Sequence, residues 1–212
     1  PSSVDSATSK LAEDYSRHFA MNEHFRPVAL EHASRLINHG PTVLVTSAAG
    51  AQRNVMAAAW SMPVEFTPPR IAVVIDKSTF TRELVMASGA FGLCIPGAGL
   101  ADLTYAVGNA SGRDGDKFSR YGIAVTPGPL LGMPMIEAGC AAWLECRLIR
   151  VPHTEEAYDT CFAEVVAAAA DDRIFSRGHW SVRDDNEALH TIHHLGGGNF
   201  ARAGGAIRAK SL

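Results

Sequence analysis

The run Asp76-Lys77-Ser78-Thr79-Phe80-Thr81-Arg82 gathers two cations and three hydroxyls at the end of a strand-like stretch, Ile71-Ala72-Val73-Val74-Ile75. Such a set can converge on one phosphate, which is held by backbone N–H groups at a turn or helix start, by hydroxyl donors, and by one or two Lys or Arg. Thr79 or Thr81 can cap a helix over Arg82-Glu83-Leu84-Val85-Met86-Ala87, which Ser88-Gly89 would stop. An ordinary capped helix with solvated Lys77 and Arg82 accounts for the same residues, so other motifs must decide between the two.

Other constellations carry less. His190 and His194 are four apart in His190-Thr191-Ile192-His193-His194 and would share a face if the segment were helical, but no Asp, Glu or Cys at ligand spacing accompanies them, so no metal is expected. Gly97-Ala98-Gly99 lacks the third glycine of a dinucleotide fingerprint. Ser111-Gly112-Arg113-Asp114-Gly115-Asp116 lacks the terminal Glu of a calcium loop. Cys94, Cys140, Cys146 and Cys161 lie in apolar or strand-like runs with no C-x-x-C pair, as buried thiols do.

The elements that must position these residues follow from pattern. With 212 residues and 47% apolar content, one globular unit with an ample core is expected. The net charge of −3, with 19 Lys and Arg spread along the chain, argues against a nucleic-acid partner. No apolar run reaches the length of about 18 residues that spans a bilayer, and Pro1 to Lys10 lacks a signal-peptide core, so no membrane association and a cytoplasmic location are expected. Residues 1–24 read as an extension, frayed at first and then helical over Leu11 to Met21, with one domain over 25–212. Thr42-Val43-Leu44-Val45-Thr46 and Asn54-Val55-Met56-Ala57-Ala58-Ala59-Trp60 form a hairpin around Ser47 to Gln52. Further strands are expected at 71–75, 90–95, 141–151 and 161–170. The last has the alanine content of a helix, yet its length, paired valines and preceding Thr160 favour a strand. Many short strands, few helices and Gly/Pro punctuation such as Thr126-Pro127-Gly128-Pro129 point to a mainly β fold, a barrel with helical additions.

In that order the chain resembles the flavin reductase-like family, the FMN-binding split barrels that include flavoredoxin, over roughly residues 25 to 205. The motifs are Gly40-Pro41-Thr42-Val43-Leu44-Val45-Thr46, the Asn54–Trp60 run followed by Pro68-Pro69, Asp76 to Arg82, Ser111 to Phe118, and His193-His194-Leu195-Gly196-Gly197-Gly198-Asn199-Phe200. The resemblance implies an antiparallel Greek-key barrel that pairs into a homodimer, with one FMN per subunit near the interface.

It also implies a division of the site. The main chain of Asn54, Val55, Ala57, Ala58 and Ala59 would approach the flavin ring edge, small side chains sparing space, with Asn54 adding an amide and Trp60 an aromatic wall. Asp76, Lys77, Ser78, Thr79, Thr81 and Arg82 would form the phosphate turn, with Ser111 and Lys117 approaching the same region. For Lys117, flanked by Asp114 and Asp116, a solvated salt bridge stands as the alternative. His194 and Phe200 would line the site, and Gly196-Gly197-Gly198 would permit a tight turn. The implied activity is that of an FMN-dependent oxidoreductase taking hydride from NADH or NADPH at flavin N5 and passing electrons to free flavin, a monooxygenase or another electron acceptor. No side chain is required as acid or base, so no catalytic residue is assigned. A flavin-bearing electron carrier docking to a redox partner, or a non-catalytic module for another phosphate-bearing ligand, are the alternatives.

Overall fold

The computed structural model describes residues 24–37 and 40–210, so the expected helix over Leu11 to Met21 lies outside the described residues. The strands are β1 (Phe25–Pro27), β2 (Val43–Ala49), β3 (Gln52–Ala58), β4 (Ser61–Phe66), β5 (Pro69–Val74), β6 (Ala90–Pro96), β7 (Thr126–Pro127), β8 (Pro134–Met135), β9 (Cys140–Ile149), β10 (Thr160–Asp171), β11 (Phe175–Ser176), β12 (His179–Trp180), β13 (Ile192–Gly196) and β14 (Asn199–Arg202). The α-helices are α1 (Leu30–Ala33), α2 (Phe80–Ser88), α3 (Ala101–Asn109), α4 (Lys117–Arg120) and α5 (Pro152–Ala157). The main sheet runs β3-β2-β6-β9-β10-β5-β4, with β1 added on β10 and every pairing antiparallel. This is the expected mainly β, antiparallel split-barrel architecture with helical additions.

The β2–β3 hairpin closes from Ala49↔Gln52 with Gly50 at φ 59, a backbone conformation that glycine adopts without a Cβ penalty. The long strand β10 forms despite four consecutive alanines, Ala167 to Ala170, because both of its faces are covered. Ala168 and Ala170 enter one core cluster with Val45, Phe91 and Leu144, whereas Ala167 and Ala169 enter another with Leu44, Trp143 and Phe118. Tertiary burial on alternate faces overrides helix propensity here. Near the bulge between Val165 and Ala167, β10 changes partner along one edge: Thr160–Glu164 pair with β5, and Ala169–Asp171 pair with β1.

Helix α2 has the expected boundaries. The Thr79 hydroxyl accepts from the Arg82 N–H at 3.2 Å, and Gly89, at φ 69, donates its N–H to Val85 O. The segment after Ala58 departs from expectation: the chain turns at Ala59-Trp60 and returns as β4, an outer strand, so Trp60 leaves the face that Ala57 and Ala58 occupy. Helix α3, which no sequence pattern announced, packs against β3 and walls the site.

Candidate functional site

Two cavities meet at Gly108 on α3. The first, of about 310 Å³, lies between β3, α3 and the β13–β14 hairpin and includes Ala57, Ala58, Ala59, Thr104, His194 and Phe200. The second, of about 260 Å³, opens at the start of α2 and includes Asn54, Ser78, Thr79, Thr81, Ser111 and Lys117. Gly108 lines both, and a Cβ there would stand 3.2 Å from Ala57 Cβ, so its missing side chain lets α3 approach β3 closely between them. Eleven of the sixteen residues expected at the site from sequence border one of these two neighbouring spaces.

In the first cavity, β3 is an outer strand, and one side of its backbone has no strand partner among the described residues. Val55 presents its C=O on that side, where Lys117 Nζ donates to it at 2.8 Å. Because N–H and C=O of one residue point the same way and alternate along a strand, Ala57 presents both of its groups on that side too. The opposite wall is the hairpin: His194 and Phe200 face each other across it with ring centroids 5.3 Å apart. The His194 N–H donates to Thr42 Oγ1 at 3.0 Å, which pins the hairpin to the barrel. Gly196, Gly197 and Gly198 all have positive φ, and a Cβ on Gly198 would press on the Tyr105 ring at 3.2 Å. Their role is the tight turn anticipated from sequence. The fully buried Thr104 has a hydroxyl with no hydrogen-bond partner among the described residues.

The second cavity gathers several hydrogen-bond donors. Phe80 and Thr81 are the first residues of α2, and their N–H groups have no helical acceptor. Thr81 accepts from Asn54 Nδ2 at 2.8 Å, which leaves its own O–H to donate. Asn54 is 2% exposed and its Oδ1 has no hydrogen-bond partner among the described residues. Ser111 accepts from the Arg113 N–H and likewise keeps its O–H. Lys117 is buried, its ammonium donating to Val55 O and Val107 O, both at 2.8 Å, with one N–H to spare. Burial pushes its pKa down to about 8. The surface salt bridge weighed for Lys117 does not form; Asp116 pairs instead with Arg53 at 2.7 Å.

Five expected residues stand elsewhere. Arg82 is 5% exposed and serves the fold: it donates to Ile75 O and Cys161 Sγ from Nη1 and to Glu155 O from Nη2, at 3.0, 3.1 and 3.0 Å. Lys77 Nζ donates to Glu156 O and pairs with Asp159 at 3.5 Å. Asp76 shapes the turn, accepting from the Ser78 hydroxyl and then the Ser78 N–H, and these bonds hold its carboxyl below its usual pKa. Val55 contributes its carbonyl to Lys117. Trp60, 73% exposed, borders a separate shallow groove beside β4 and β5. His190 and His194 do not share a helix face: His190 is buried against Ala203 O, Arg183 O and Asn186 Oδ1, while His194 lies on β13.

Sequence reasoning missed Arg113, which borders the second cavity, donates to Ser78 O at 3.0 Å and pairs with Glu83. The signal was present in the Ser111–Phe118 loop, where Arg113 lies two residues from Ser111. Thr104 and Tyr105 were missed with α3 itself.

A sequence model described as the flavin reductase like domain matches residues 35–183. The chain is 56% identical over 187 residues to the uncharacterized protein YddH of Escherichia coli (strain K12), covering 87% of this chain and 98% of that one. Among solved structures, the FMN-binding domain of a flavin reductases-like enzyme from Shewanella baltica OS155 superposes with a TM-score of 0.82 at 38% identity, covering 88% of this chain and 97% of that chain. A flavoredoxin from Methanosarcina acetivorans superposes with a TM-score of 0.65 at 25% identity, covering 80% and 87%.

Proposed function

We propose that this chain, which belongs to the flavin reductase-like family, binds FMN with the ring in the alanine-lined cavity and the phosphate at the start of α2, and acts as an NAD(P)H-dependent oxidoreductase. The observation that carries the reading is that a cavity lined by Ala57–Ala59 and a donor-rich cavity at the start of α2 lie side by side, sharing Gly108 in their linings. The unpartnered Asn54 Oδ1 suits a hydroxyl of the ribityl chain between them, and the unpartnered Thr104 hydroxyl suits the polar edge of the ring.

When bound, the flavin supplies hydride acceptance at N5 and onward electron transfer. The chain's residues do the positioning. Ala57 offers its backbone N–H and C=O to the ring edge, and the small side chains at 57–59 let that edge come close. Lys117, Thr81, Ser111 and the first N–H groups of α2 hold the phosphate, whose charge of close to −2 calls for a cation and several donors. The His194–Phe200 hairpin and Tyr105 enclose the open side, where a nicotinamide would stack.

The same reading includes a homodimer with the flavin near its interface. Trp60, Met62, Val64 and Phe66 are exposed apolar side chains on or just before an outer strand, directly after the alanine triplet, and a second copy would cover those on the face it meets. A cytoplasmic setting agrees with four unpaired, buried thiols.

The test is to identify by mass spectrometry the small molecule released from heat-treated protein, then to titrate the loaded protein anaerobically with NADH and NADPH. FMN release and bleaching of the flavin absorbance by either nucleotide are expected. FMN without bleaching would replace the reductase by an electron carrier, and no affinity for FMN would end the proposal.

A further inference from the structure

Strand β1, helix α1 and the β11–β12 hairpin enclose a separate pocket of about 280 Å³ that shares no lining residue with either cavity described above. Pro27, Val28 and Phe175 give it apolar lining, and Arg26, His32, Asp172 and Arg177 give it charge. The hairpin is fastened in place: Gly178 O accepts from Arg35 Nη1 at 3.0 Å, and Trp180 Nε1 donates to Arg35 O at 2.8 Å. A Cβ on Gly178 would stand 2.9 Å from His32 Cδ2, so the turn lies directly on α1.

The turn itself holds an unusual residue. Arg177 and Gly178 have φ of 51 and 76, as in the two-residue hairpin turn where both central positions need positive φ and Asn, Asp or Gly is the rule. Arginine there bears a Cβ penalty, and its guanidinium makes no hydrogen bond or ion pair among the described residues to offset it. The other charges of the pocket are matched. Asp172 lies 3.6 Å from Arg26 Nη2 and 3.8 Å from His24, and His32 lies 3.6 Å from Glu31. The Arg26 contact is an ion pair too long for a hydrogen bond, so Nη2 keeps its N–H groups to donate, while Nη1 is spent on Phe25 O. One unmatched cation and a second guanidinium with N–H groups to spare thus border a partly apolar pocket. That balance suits a single negative charge on an apolar body, because two arginines can grip one carboxylate and a second charge would meet Asp172.

We propose that this pocket binds a small monoanionic organic acid, its carboxylate held between Arg177 and Arg26 and its apolar body against Pro27, Val28 and Phe175. The site is independent of the flavin reading. Bound there, the acid joins the β11–β12 hairpin to β1 and so stabilises the folded chain by mass action.

The experiment titrates the protein as purified with benzoate, with its neutral counterpart benzamide and with inorganic phosphate, by calorimetry and by the shift in Tm. It uses the wild type, Arg177→Gly and Arg26→Gln. Glycine accepts a positive φ freely, so Arg177→Gly should melt no lower than the wild type while losing the carboxylate's partner. Benzoate should bind the wild type and raise its Tm, and each variant should bind it at least about tenfold more weakly. Benzamide should also bind the wild type at least about tenfold more weakly than benzoate does. No benzoate binding to the wild type, equal binding of benzoate and benzamide, or unchanged benzoate binding by both variants would overturn the site. Phosphate binding more tightly than benzoate would overturn the assignment to an organic acid.

Discussion

Asn54 donates its carboxamide to the Thr81 hydroxyl at 2.8 Å, joining the outer strand β3 to the first turn of α2 across 27 residues of chain. The bond borders the cavity at the start of α2 and orients the hydroxyl of the helix's second residue. It also fixes Asn54 Oδ1, which has no hydrogen-bond partner among the described residues.

Replacing Asn54 by Leu removes both the orienting bond and the waiting acceptor. The expected outcome is a rise of about tenfold in the FMN dissociation constant, equivalent to about 1.4 kcal/mol, read by fluorescence titration. A loss of folding stability of about 1–2 kcal/mol in urea should accompany it, because Thr81 stays buried without its partner.

Lys117 sets an opposite pH dependence for folding and for binding. Its pKa is about 8 in the folded chain against an ordinary 10.5, so the cost of burying the charged form is fully present below pH 8. As pH rises from about 8 towards 10.5 the unfolded chain binds more protons than the folded one, and stability rises across that window. Flavin binding runs the other way, because the phosphate needs the charged ammonium: affinity for FMN should fall as pH climbs past 8. Lys117→Met should bind FMN about tenfold more weakly at pH 7 and flatten this slope, measured as dissociation constants from pH 7 to 9.5.

Arg82 yields a contrast that separates structure from binding. Arg82→Ala should cost about 2–4 kcal/mol of stability, since it strips donors from buried carbonyls of Ile75 and Glu155. FMN affinity of the molecules that remain folded should change by less than about twofold. A selective loss of FMN binding at unchanged stability would return Arg82 to the phosphate.

Met62→Glu together with Phe66→Glu places a charge on each face of β4. If the proposed homodimer uses this strand, sedimentation should show a dimer for the parent and a monomer for the variant, with far-ultraviolet circular dichroism unchanged, because neither side chain contributes to the core.

Much of this was legible in the sequence. The β2–β3 hairpin, the α2 caps and the course of β10 all follow from local chemistry that agrees with the final packing. Residue types also marked eleven residues that border the two cavities, because hydroxyls and small side chains recur there in a fixed order. Direction was less legible. Thr81 and Arg82 are neighbours on a helix, about 100° apart around its axis; Thr81 borders the cavity while Arg82 turns to the carbonyls of Ile75 and Glu155. Charge suggested Arg82, whereas burial gave the cavity to Thr81. Trp60 was misread for a related reason: the strand that carries Ala57 and Ala58 ends before it, and nothing in Ala58-Ala59-Trp60 signals the turn. Helix α3 escaped because Ala101-Asp-Leu-Thr-Tyr-Ala-Val-Gly-Asn109 mixes polar and apolar residues weakly and carries a glycine, whose missing side chain serves close packing on Ala57 rather than the helix itself. Arg113 was hidden among acids in a loop whose partners lie 30 and 35 residues away.

The change of partner along β10 ties the edge of the main sheet to three residues that border neither of the two cavities. Phe25, Arg26 and Pro27 lie alongside Asp171, Ala170 and Ala169 as a short cover strip. Were that strip peeled away, the alanine-rich end of the longest strand would offer its vacant amides and carbonyls to any passing chain, and the route to insoluble material would start there.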